Sequence, residues 1–228
     1  MIDRAHTSRF YDQKLRLLKD KLLLMGYHAE CMLADSIRAL VERSPSVAQE
    51  VILRDDTLDG LELDIDELCN EILALQHPVA RDLRFVATAF KIVRDIERVG
   101  DIAVNIAKRC IELVEEPELK PLVAIPIMAE KAQHIFRSSL DAFVNSDDKM
   151  AEQVIEDDDV VDGLHEQIFR ELLTYMMENP LNVSRCLKLI FIGRHLERVG
   201  DHATNIAEMV LFMIRATDVR RSSAASAS

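Results

Sequence analysis

Glu97, Asp101 and Asn105 are spaced four residues apart. On a helix that spacing sets all three on one face. Two acids so placed repel one another by roughly 0.2–0.5 kcal/mol. Gly100 between them costs about 1 kcal/mol more relative to alanine. The chain nevertheless writes this segment twice, as DIERVGDIAVNIA from Asp95 and HLERVGDHATNIA from His195. Arg94, Glu97, Arg98, Gly100, Asp101, Asn105 and Ala107 all recur 100 residues later, so Glu197, Asp201 and Asn205 form a second stripe. An acidic pattern precedes each copy: RDDTLDGLE from Arg54 and DDDVVDGLH from Asp157. It gives the stripes Asp55, Asp59, Glu62, Asp66 and Asp158, Asp162, His165, at an offset of 103 residues. Duplication of a unit of this size accounts for the repeated order.

If the two acidic helices of each half are antiparallel neighbours, their stripes face each other. Facing carboxylates either hold protons or bind a cation. Oxygen donors suit Fe, Mn, Mg or Ca, and less typically Zn or Ni. The ferritin-like di-iron pattern needs Glu-x-x-His on two helices. This chain offers only Asp162-x-x-His165, in one half, so that class fits poorly. Acids at helical spacing are more often a solvated face, but recurrence on two helices and in both halves weighs against that reading. Arg98 and Arg198 offer simple ion-pair partners three residues on, at Asp101 and Asp201. Gly100 and Gly200 read as room for a neighbouring helix. His6, His28, His77, His134, His195 and His202 read as surface or capping residues, whereas His165 lies on an acidic stripe.

The elements that must position these residues are helices. Only 6 glycines and 6 prolines punctuate the chain, and 49% of residues are hydrophobic, which favours long helices around a real core. The spacing predicts six: 4–43, 46–76, 80–114, 127–145, one opening at SDDKMAEQ and ending near Asn179, and 182–216. Helices of about 35 residues are about 50 Å long and need partners along one face. Three per half gives an all-α fold of two tandem, pseudo-symmetric antiparallel three-helix bundles. The bundles are expected at 4–116 and 127–217, joined by a Pro-rich linker at 117–126, with a disordered tail at 218–228. A net charge of −12 argues against electrostatic nucleic-acid binding. Four scattered cysteines without a CxxC pair read as reduced thiols of a cytoplasmic protein. MIDRAHTSRF lacks the apolar core of a signal peptide, and no apolar run is long enough to span a membrane. Phosphate loops, GxSxG and a Cys–His pair are absent.

The doubled ERVGD with its following N-I-A, the stretch HPVARDLR at 77–84 and the two upstream acidic stripes resemble the PhoU family of phosphate-uptake regulators. The resemblance spans residues 4–217. It implies two similar three-helix bundles in a cytoplasmic homodimer with no enzymatic activity. It further implies a negative regulator of the phosphate-starvation response, linking the ATPase subunit of a phosphate ABC transporter to a phosphate-sensing histidine kinase. Membrane association then comes only through these partners. The metal positions it carries over are Asp55, Asp59, Glu97 and Asp101, then Asp158, Asp162, Glu197 and Asp201. The metal is Fe, Mn, Zn, Ni or Mg, in multinuclear sites in some members. His165, where the first half has Glu62, departs from a strict duplication. The alternatives left by the residues alone are a metal-dependent enzyme built on carboxylate clusters and a metal-free helical scaffold.

Overall fold

The computed structural model describes residues 4–76, 78 and 80–215. The described residues form seven α-helices: α1 (Arg4–Val41), α2 (Pro45–Leu53), α3 (Asp55–Gln76), α4 (Ala80–Val114), α5 (Ala124–Asn145), α6 (Asp148–Glu178) and α7 (Val183–Arg215). A single 3₁₀ turn, Pro180–Asn182, leads into α7. The fold is all-α, with two repeated bundles: α1 to α4, then α5 to α7.

Caps fix several starts. Ser44 accepts from the Val47 N–H, with Pro45 at the first helical position of α2. Asp147 Oδ1 accepts from the N–H groups of Lys149 and Met150, 3.0 Å each, so SDDKMAEQ is a capped start. Asn179 Oδ1 caps the 3₁₀ turn through the Leu181 N–H. α5 opens at Ala124, earlier than expected, because proline at 126 is tolerated in a first turn, where N–H groups lack helical partners anyway. The expected helix 46–76 is two: it breaks at Arg54, whose side chain reaches Asp35 on α1. The expected tail 218–228 lies outside the described residues.

The repeat extends into α1 and α5, where sequence identity hides it. Ser36 donates back to the Leu33 carbonyl and Ser139, 103 residues later, to the Phe136 carbonyl, each at 2.7 Å. Arg43 and Ser146 follow their helices at the same offset, both with left-handed backbone (φ 52° and 53°).

α4 and α7 form the antiparallel centre. Arg84 Nε donates to the Met213 carbonyl, Asp95 meets His202, and Lys188 lies near Glu112, so numbers fall on α7 as they rise on α4. α1 and α5 pack beside them, Phe85 stacks on Phe143 at 4.7 Å, and the halves share one core. α3 flanks α4, and α6 flanks α7. That flanking arrangement carries the acidic stripes. Cys69, Cys110 and Cys186 are buried, Cys31 is half-buried, and all four thiols are free. No described helix is long and apolar enough to cross a membrane.

Candidate carboxylate sites

The stripes do face each other. In the first half, Asp55 feels the charges of Asp59 and Asp101, and Glu97 those of Asp101, Glu62 and Asp59. α3 therefore lays its acids along those of α4. Burial, more than neighbouring charge, pushes the Asp55, Glu62, Asp66 and Glu97 carboxyls up from their ordinary values. Lys108 opposes the rise at Asp55, and Arg98 opposes it at Glu97. Arg98 Nη1 donates to Asp101 Oδ2 at 2.7 Å, with Arg98 Nε 3.4 Å from Glu97. This site carries its own partial neutralisation.

The second site is different. Asp158 on α6 is pushed up to about 6, first by burial and then by Asp162, Asp201 and Asp159. A hydrogen bond from Thr204 opposes that rise. The Thr204 hydroxyl lies 3.0 Å from Asp158 Oδ2 and 3.1 Å from the Gly200 carbonyl, two acceptors for one proton. Asp158 Oδ1 is buried with no hydrogen-bond partner, as is Asp66 Oδ1 on the first stripe, outside the four expected positions there. Glu197 is also raised, by burial and Asp201, while His165 and Arg194 act against it. Among the described residues, Arg198 makes no ion pair with Asp201 to match the one in the first half. Three substitutions distinguish the two sites. Val104, buried, stands where the second site has Thr204; Lys108 stands where it has Glu208; and Glu62 where it has His165.

The central glycines fit the expectation of close approach. A Cβ on Gly100 would overlap Leu58 Cδ2, and one on Gly200 would overlap Asp158 Oδ1. Gly200 therefore lets Asp158 sink against α7, whereas Gly100 admits an apolar side chain. Gly60 and Gly163 face open space.

All eight expected positions thus lie on two facing helix pairs: Asp55, Asp59, Glu97 and Asp101 on α3–α4, and Asp158, Asp162, Glu197 and Asp201 on α6–α7. As placed, they do not form a ligand set. Among the described residues, no three His, Cys, Asp or Glu side chains stand close enough to hold one ion. Arg98 occupies Asp101. In kind, the donors fit a hard cation, which would satisfy the unpartnered Asp158 Oδ1.

Two residues had another role than expected. His202 is no surface residue: its Nδ1 lies 2.8 Å from Asp95 Oδ1 and joins the halves. His195 is half-buried, its Nδ1 has no partner, and burial with Arg198, Arg109 and Arg194 lowers its pKa. Thr204 was missed altogether. Its position, between Asp201 and Asn205 but where the first copy has valine, was the available signal.

Comparison with known proteins decides the family. The sequence matches the PhoU domain over residues 22–110 and again over 125–210. The chain belongs to the PhoU family. It is 40% identical over 216 residues to the phosphate-specific transport system accessory protein PhoU homolog of Pseudomonas putida, covering 94% of this chain and 84% of that one. The PhoU homolog of Zymomonas mobilis is 41% identical over 208 residues, covering 91% and 88%. The crystal structure of PhoU from Pseudomonas aeruginosa overlays with a TM-score of 0.86 at 39% identity, over 91% of this chain and all of that one. The phosphate transport system regulatory protein PhoU from Streptococcus pneumoniae overlays at 0.83 with 23% identity, a likeness of fold alone, covering 92% and 99%.

Proposed function

We propose that this chain is a cytoplasmic negative regulator of phosphate uptake and of the phosphate-starvation response. In this reading it is an adaptor without catalytic activity. It joins the ATPase subunit of a phosphate ABC transporter to a phosphate-sensing histidine kinase and acts as a homodimer. The observation that carries the reading is the match over nearly the whole chain to proteins named as accessory to a phosphate-specific transport system. A membrane-peripheral place follows from the transporter partner.

The carboxylate pairs are the metal sites in this proposal. Asp158, Asp162, Glu197 and Asp201 hold the tighter one, and Asp55, Asp59, Glu97 and Asp101 the weaker. A bound divalent or trivalent cation, of the Fe, Mn, Zn, Ni or Mg class, supplies charge neutralisation and ties each flanking helix to the central pair. What supports the ranking is the unpartnered oxygen of Asp158 and the Arg98 pairing in the first site.

Deleting the gene tests the regulatory role. Phosphate-starvation genes are expected to switch on in phosphate-rich medium; unchanged expression contradicts the proposal. Copurification with the transporter ATPase and the kinase sensor region tests the adaptor role, with Asp101→Ala and Asp201→Ala present to separate metal from partner recognition.

A further inference from the structure

The pseudo-symmetry makes one pair of cavities comparable, at opposite ends of the α4–α7 pair. The first, of about 290 Å³, includes Arg43, Leu113, Val114 and Arg185. The second, of about 660 Å³, includes their repeat equivalents Ser146, Met213, Ile214 and Phe85. Each is bordered by the stretch of chain just ahead of the segment that α1 and α5 share. At the small cavity this is the linker, which lays Leu119 and Leu122 against the core. At the large one it is an early turn of α1, which presents Arg16 and Lys19. Packing explains the linker leucines. It does not explain Arg16 in the corresponding place, whereas Lys19 is held by the Val144 carbonyl and lies over the Phe85 ring.

Arg81 and Arg84, from the first turns of α4, add two more positive charges. Among the described residues, four cations thus line the cavity with two acids, Asp12 and Asp82, in a molecule whose net charge is −12. Asp82 is taken up by the Tyr11 hydroxyl at 3.0 Å. Arg84 Nε is engaged with the Met213 carbonyl, and Lys19 donates to the Val144 carbonyl and lies 5.1 Å over the Phe85 ring. Among the described residues, Arg16 and Arg81 make no side-chain hydrogen bond or ion pair. The positive end of α4 opens on the same space. Below the charges lies an apolar floor of Leu15, Phe85, Met213 and Ile214. Charge at the rim, an apolar floor and this volume are the attributes of a small-molecule pocket rather than an ion site.

We propose that this cavity binds a small organic anion of about two negative charges, a phosphate monoester or dicarboxylate with an apolar body. The two unpaired guanidinium groups grip the anionic head, each able to offer a two-pronged donor. The floor takes the body. The site is separate from the carboxylate pairs and needs no metal.

Calorimetric titration of the full chain, with EDTA present, tests this with phenyl phosphate, phthalate and inorganic phosphate. Phenyl phosphate and phthalate are expected to bind, and inorganic phosphate to bind at least tenfold more weakly. The variant Arg16→Leu/Lys19→Leu copies the chemistry of the small cavity's linker. It is expected to weaken phenyl phosphate tenfold or more while its melting temperature holds or rises. Arg81→Ala is expected to weaken it severalfold, and Lys21→Ala, whose partner is Asp64 outside the cavity, to leave it unchanged. Failure of both organic anions to bind overturns the proposal. So does equal binding of inorganic phosphate, or full binding by Arg16→Leu/Lys19→Leu with a wild-type melting temperature.

Discussion

Asp158→Asn should make the metal-free protein more stable at neutral pH. The folded carboxyl sits at about 6 against an ordinary 3.8. About two units at 1.36 kcal/mol each is roughly 3 kcal/mol. Solvent reaches part of the group, and screening reduces this to roughly 1–2 kcal/mol. The direction follows from proton counts. Below about pH 4 both folded and unfolded chains carry the proton, and the charge costs nothing. Between about 4 and 6 the unfolded chain releases it while the folded chain keeps it, so stability falls as pH rises. Above 6 the loss is constant. Asparagine never ionises, can still accept from Thr204, and turns the unpartnered oxygen position into a donor facing Asp162 and Asp201. At pH 7.5 with EDTA, thermal unfolding followed by circular dichroism should show the variant melting about 2–8 °C higher. At pH 4 the difference should close. A variant less stable at pH 7.5, or a gain undiminished at pH 4, refutes the reasoning. With the predicted gain, the native residue is a stability cost, as functional sites commonly show.

Other outcomes follow from the same geometry. Gly100→Ala and Gly200→Ala should each destabilise by about 1–3 kcal/mol through overpacking against Leu58 and Asp158, whereas Gly60→Ala and Gly163→Ala, in open space, should stabilise by up to about 1 kcal/mol; urea denaturation midpoints compare all four. Asp95→Ala and His202→Ala should show a coupling of about 1 kcal/mol in a double-mutant cycle of unfolding, since one contact at 2.8 Å joins the two bundles. Thr204→Val should push Asp158 further up by removing the hydrogen bond that opposes its rise, which carbon-detected NMR of that carboxyl reads directly.

The duplicated stripes and the all-α architecture were legible because the i,i+4 spacing and the 100-residue echo are strictly local signals. So was Gly100 as a close approach, since glycine within a helix needs a reason. The break at Arg54 was not legible. No glycine or proline marks it, and the pairing partner, Asp35, lies on another helix. The repeat in α1 and α5 was equally hidden, because what recurs is a serine back-bond and a left-handed cap rather than a string of identical residues. The pairing of His202 with Asp95 depends on how α4 crosses α7, which neither helix encodes alone. At the candidate sites, the sequence indicated which acids share a face. It did not indicate that Arg98 would pair with Asp101 while Asp158 Oδ1 would lie buried against α7, because that burial depends on the depth that Gly200 permits to a side chain from another helix.

The central claim is that the carboxylate pairs bind cations, the second pair more tightly. Calorimetric titration of Mn²⁺ into chelator-stripped, dialysed protein tests it most directly, with Asp55→Asn/Asp101→Asn and Asp158→Asn/Asp201→Asn alongside. The wild type should show two classes of site. The tighter should vanish in the Asp158→Asn/Asp201→Asn protein and the weaker in the other. Absence of Mn²⁺ binding at millimolar concentration, or undiminished binding when all four residues are replaced, would contradict the claim.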